Sequence, residues 1–197
     1  MNATNYKPLL LGVILAVIGA SGLLATTLLR PSVNMDAAES VAKSYLNQFG
    51  SSDIAVDEII EFEQNYYVVY IERSTGIGAF EMLIDKQTGS IFPEYGPNMM
   101  WNLKYGHGGM MGRWRTTPSS QMPVTSLQAK AIAQDYLNSA YTSAQAEEVH
   151  TFYGYYTIHT IKDGKTSGML SVNGYDGTIW YHSRHGYYIQ SREIGKS

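Results

Sequence analysis

Met99, Met100, His107, Met110 and Met111 fall in one short stretch, from Asn98 to Trp114, that holds four of the chain's nine methionines. Thioether and imidazole are soft or borderline ligands suited to Cu(I). Gly106, Gly108, Gly109 and Gly112 would let the backbone wrap an ion. His182 and His185 stand at the corresponding place in the second half of the chain, after its last strand-like run, and extend the candidate copper set. His150 and His159 precede them on strand-like runs. The spacing matches no fixed metal signature, and the same stretch has a second use. Methionine fills irregular gaps and tryptophan anchors interfaces. Trp101, Tyr105 and Trp114 therefore also read as a surface for a protein partner, or as a cover over apolar side chains. A long connection without evident structure is usually functional or disordered.

Other chemistry finds little support. The chain has no cysteine, which excludes disulfides, thiolate catalysis and cysteine-held metals. It carries no His-Glu-x-x-His, no phosphate loop and no Gly-x-Ser-x-Gly, so the expected protein is not an enzyme. Asp85 and Asp176 read as turn residues, each close to a glycine. Asp57, Glu58, Glu61 and Glu63 read as a solvated strand face. On a strand, His182 and His185 would point to opposite faces. The formal net charge is −3. Three basic against eleven acidic side chains lie between residues 31 and 96, and nine against six from Pro97 onward. No clustered basic surface results, so nucleic acid is not an expected partner.

The elements that must position these residues follow from periodicity. Leu9 and Leu29 bound an uncharged run flanked by Lys7 and Arg30. At 1.5 Å per residue it reaches roughly the thickness of a bilayer's hydrocarbon layer, about 30 Å. This predicts a single-pass membrane protein with its N-terminus cytoplasmic and its C-terminal part extracytoplasmic. Beyond it, one pattern is written twice. Ala42-Lys43-Ser44-Tyr45-Leu46-Asn47 is echoed by Ala133-Gln134-Asp135-Tyr136-Leu137-Asn138, and Asn65-Tyr66-Tyr67-Val68-Val69-Tyr70 by Gly154-Tyr155-Tyr156-Thr157-Ile158-His159. Asp36 with Glu39, and Thr125 with Gln128, carry the spacing of a helix start. Helical spacing of apolar residues follows each pair. Short β-branched and aromatic runs come next, at 54–63, 66–73, 79–84 and 90–95, and then at 148–153, 155–161, 167–172 and 178–182. The expected class is α+β: two repeats of one helix packed on a small antiparallel β-sheet, preceded by one transmembrane helix. The boundaries are residues 1–31 for the anchor, 32–96 for repeat 1, 97–124 for the Gly/Met/Trp-rich linker, and 125–197 for repeat 2 and tail.

A helix ending in Tyr45-Leu46, a Tyr-Tyr-Val-Val-Tyr strand, then Phe80-Glu81-Met82-Leu83-Ile84-Asp85-Lys86-Gln87-Thr88-Gly89-Ser90-Ile91 resembles the PepSY domain. The second copy places Asn173 where the first has Asp85. The resemblance implies an extracytoplasmic module that acts by protein contact, as an accessory subunit of a membrane complex or a modulator of a protease. It brings no catalytic residues. The alternative is an extracytoplasmic copper-binding protein using the Met/His-rich linker.

Overall fold

In the computed structural model the described residues are 32–106, 121–140 and 143–195. The run between Leu9 and Leu29, and with it the anchor, lies outside them, as do His107, Met110, Met111 and Trp114. The first half holds helix α1 (Met35–Phe49) and strands β1 (Ile54–Phe62), β2 (Asn65–Glu72), β3 (Gly78–Asp85) and β4 (Ile91–Pro93). A short helix α2 (Pro97–Met100) follows. The second half holds α3 (Ser126–Ala140), β5 (Gln145–Thr151), β6 (Tyr155–Lys162), β7 (Lys165–Asn173), β8 (Ile179–Tyr181) and β9 (Tyr188–Glu193).

These elements correct the expected class. The described part is β-rich, with two antiparallel sheets in the orders β4-β3-β2-β1-β9 and β5-β6-β7-β8. The first sheet takes its fifth strand from the C-terminal tail: β9 pairs with β1 from Glu58 to Phe62. The two halves are therefore not independent helix-on-sheet repeats. Among the described residues no helix is long and apolar enough to cross a membrane. The physical reason lies in the strands. Every residue of β2 except Ile71 is buried, on both faces. A strand buried on both faces must sit between two apolar layers, not over one.

Three cores result. Ala38 and Ala42 of α1 pack on Val56, Ile59, Val68 and Met82. Ala129, Ala133 and Leu137 of α3 pack on Ile158 and Leu170. Between the sheets, Ile60, Phe62, Tyr67 and Leu83 meet Phe152, Tyr155 and Met169. The start of α3 is built as expected: Gln128 N–H donates to Thr125 Oγ1, and Thr125 N–H to Gln128 Oε1. At α1 the cap is Asn34, whose Oδ1 accepts from Ala37 N–H. Asp36 and Glu39 instead each accept from Arg192 of β9 at 2.8 Å.

The start of the linker is ordered by its asparagines. Strand β4 covers β3 only from Met82 to Ile84. Asn98 takes over the exposed edge, donating to Glu81 O at 2.9 Å and accepting from Glu81 N–H at 3.0 Å. Asn102 donates to Ala79 O at 2.7 Å. Trp101, held between them, packs half-buried against the core between the sheets.

Candidate metal centre

His182 and His185 leave the end of β8 on a turn, not on a strand, and this brings them together. The two imidazoles stack with centroids 5.7 Å apart. His182 is fixed by its N–H donating to Met169 O at 3.1 Å. His185 is fixed by its own carbonyl accepting from Gln64 N–H, and its ring stacks on Phe62 at 5.1 Å. Opposite them stands Glu94, which follows β4 and whose N–H donates to Glu81 O. Their side chains are 0 to 2% exposed. One ligand atom from each of the three lies within 4.8 Å of the others. The carboxylate comes from the first half of the chain and both imidazoles from the second.

The outward nitrogens are held and the inward ones face the carboxylate. His182 Nε2 is 2.9 Å from Ser171 Oγ, and His185 Nδ1 is 3.0 Å from Asn65 Oδ1. His182 Nδ1 is 3.2 Å and His185 Nε2 3.8 Å from Glu94 Oε1. Among the described residues, Glu94 Oε2 and His185 Nε2 are buried without a hydrogen-bond partner. Fixing one imidazole nitrogen on an acceptor is how metal-bound histidines are oriented. Burial pushes His182 and His185 down to about 4, with Glu81 and Glu94 respectively acting against it. Both rings are therefore neutral, with lone pairs available. Burial also raises Glu94.

The hydrogen-bond order Ser171–His182–Glu94 is that of a nucleophilic triad. Ser171, however, is fully buried within β7 and also bonds Thr157 Oγ1 at 3.0 Å. Thr157 continues to Glu81 Oε1 at 2.7 Å. The chain of contacts joins two buried carboxylates and offers no surface to a substrate.

The methionines behave differently. Met99 lines a cavity of about 230 Å³ with Tyr45, Phe49, Phe80 and Met82, while Met100 is 59% exposed. Tyr105 packs on the α1 core and donates its hydroxyl to Glu72 at 2.6 Å. Glu94 was not singled out in the sequence, where it is one carboxylate among seventeen. The signal that could have found it is its place directly after the last strand of its half, as His182 directly follows β8.

A pH effect is expected for the chelator-treated protein. Between pH 6.5 and about 4 the unfolded chain protonates His185 and the folded one does not. Stability thus falls as pH drops through that window. In His185→Gln this component is absent, so its urea midpoint is expected to fall less between pH 7 and pH 5 than the parent's. Equal pH slopes would show that His185 is not held neutral.

No known family model and no curated protein matches this sequence. Two solved structures are similar to it. One is the Bacillus megaterium YpeB C-terminal domain, at 13% identity, with 75% of this chain and 61% of that one covered and a TM-score of 0.27. The chain thus spans 61% of that structure's length. The other is described as a "putative lipoprotein" from Clostridium difficile 630, at 15% identity, with 83% and 94% covered and a TM-score of 0.25. At such scores neither likeness carries a conclusion about fold or activity.

Proposed function

We propose that this chain is a non-catalytic, extracytoplasmic PepSY-like module, tethered to the membrane by the run between Leu9 and Leu29, whose two sheets are joined by one divalent transition ion. Glu94, His182 and His185 hold that ion. The observation that carries the reading is the convergence of these three buried groups, with Glu94 Oε2 and His185 Nε2 unpartnered among the described residues. Leaving buried polar atoms unpaired costs about 1–3 kcal/mol each, and an ion would satisfy them. Two imidazoles and a carboxylate suit Zn²⁺ or Cu²⁺ better than Cu(I), which prefers sulfur. This nitrogen- and oxygen-bound ion is a different site from copper bound by the methionines, of which Met110 and Met111 lie outside the described residues.

The ion's role is structural, and the module acts by protein contact. Tyr187 and Ile189, at 81% and 50% exposure, flank and occupy the outer strand β9 and support that reading. An edge strand with exposed apolar side chains is suited to adding a partner's strand.

The test is zinc content of the detergent-solubilised full chain after zinc loading, gel filtration and a brief exposure to excess chelator. The parent is expected to keep one equivalent, and Glu94→Gln and His185→Gln to keep none. A parent that loses all its zinc at once, or variants that keep the resistant ion, would overturn the proposal.

A further inference from the structure

Strands β1 and β5 each carry a register shift, between Val56 and Glu58 and between Ala146 and Val149. A bulge inserts a residue and re-aims the side chains beyond it. Val56 packs under α1, and strict alternation would put Glu58 there as well. The bulge instead leaves Ile59 under α1 and turns Glu58 inward beside Ile60 and Phe62. Glu58 is 3% exposed, which corrects its reading as part of a solvated face. In β5, Ala146 and Val149 both pack under α3, and His150 and Phe152 face the first sheet. His159 reaches the same place from β6 by ordinary alternation after Tyr155 and Thr157.

These turns bring three ligand atoms together between the sheets. His159 Nε2 is 3.7 Å and His150 Nε2 3.9 Å from Glu58 Oε2. All three atoms are buried without a hydrogen-bond partner among the described residues. Such separations are too long for hydrogen bonds. They are near the roughly 3.4 Å expected between two donors that each sit about 2.1 Å from one tetrahedral ion. Glu148 stands at the rim, 3.8 Å from His150 Nε2 and 3.7 Å from His159 Nδ1, the nitrogen through which a carboxylate would fix the ring of a ligating His159.

Charge points the same way. Asp57, Glu58 and Glu148 surround the two imidazoles, and among the described residues no lysine or arginine lies within ion-pair distance of these carboxylates. Burial first, then the charges of Glu148 and Glu193, push Glu58 up to about 7. Burial, and then His150, bring His159 down to about 3. The cluster gathers imidazole nitrogens and crowded carboxylates, with no lysine or arginine beside them among the described residues.

We propose that Glu58, His150 and His159, with Glu148 beside them, form a second divalent transition-metal site that exchanges its ion with solvent. Its accessibility separates it from the inner centre. The side chains of Glu58, His159 and His150 are 5, 7 and 13% exposed and that of Glu148 at the rim 47%, against 0 to 2% for Glu94, His182 and His185. Closed sites suit structural ions, and open ones leave a position for water or an incoming ligand. The protein thus carries one locked and one exchangeable ion between the same two sheets. The second site does not depend on the first, because the two share no residue.

The test is a zinc titration, repeated with Cu²⁺, of the full chain after brief chelator treatment and removal of the chelator. The parent is expected to take up one ion again. In Glu58→Gln and His159→Gln that affinity should fall by more than about 100-fold, beyond the 10- to 100-fold typical of losing an outer partner. In Glu148→Gln, whose half-exposed side chain can be changed without disturbing a core, it should fall about tenfold. Glu94→Gln should retain the exchangeable ion. Parental affinity in Glu148→Gln together with either ligand variant, or no uptake by the parent, would overturn the second site whatever becomes of the inner one.

Discussion

Stripping the inner ion is expected to lower the thermal midpoint of the folded unit by roughly 10 °C. An ion present at about a thousand times its dissociation constant stabilises the state that binds it by about 4 kcal/mol. For a unit of this size each kcal/mol moves the midpoint by about 2–4 °C. The sign follows from position. Glu94 lies after β4 and the histidines lie on the short β8–β9 connection by which the chain returns from the second sheet to the first, so the ion ties that connection to the outer strand β4 of the first sheet. Melts followed by circular dichroism, before chelation, after prolonged chelation and after zinc is restored, would measure it. Glu94→Gln should melt near the stripped parent and respond to neither treatment. A midpoint indifferent to metal would mean that the buried Glu94–His182–His185 group needs no ion.

Glu72→Ala is expected to cost about 3 kcal/mol, read as a lower denaturation midpoint. The Glu72 carboxylate is buried at the end of β2 and gathers three parts of the chain. It accepts from Thr75 of its own half at 2.9 Å, from Tyr105 of the linker at 2.6 Å and from Tyr153 of the second half at 2.8 Å, and it pairs with Lys104. Burial alone would raise its pKa, but the hydrogen bonds from Lys104, Tyr105, Tyr153 and Thr75 outweigh this and hold it below the usual carboxylate range. Removing one partner of a buried pair commonly costs about 3–5 kcal/mol. The lower end applies here because the Lys104 side chain is 33% exposed and its ammonium can turn to water. A loss under about 1 kcal/mol, the scale of a surface ion pair, would show that the linker does not depend on Glu72.

Much of the local structure was legible because it is written in local chemistry. The Thr125–Gln128 capping pair works as read, and Asp85 Oδ1 accepts from both Gln87 and Thr88 N–H, making the turn its sequence predicts. Eight of the nine strands among the described residues fall close to the runs of β-branched and aromatic residues. Strand β9 was missed because Tyr188 to Glu193 is polar and mostly exposed, and only its pairing with β1 makes it a strand. The packing of sheet on sheet has a trace in the apolar run from Tyr66 to Ile71 of β2, whereas the expected class gave each sheet only a helix to pack on.

The candidate sites were half legible for the same reason. His182 and His185 stood out by rarity, whereas Glu94 is ordinary until the fold places it opposite them. Glu58 was misread because a one-residue bulge at Asp57 reverses the face predicted by alternation, and nothing in the residue types announces it. The asparagines that anchor the linker, Asn98 and Asn102, act on a sheet edge many residues away, which no local pattern encodes.

X-ray absorption at the zinc edge, on the zinc-loaded full chain after brief chelation, tests the central claim most directly. The account predicts one retained ion with nitrogen and oxygen neighbours only, imidazole outer-shell scattering, and loss of the signal in Glu94→Gln. A retained ion with sulfur neighbours, which only methionine can supply in a chain without cysteine, or no retained ion at all, would contradict it.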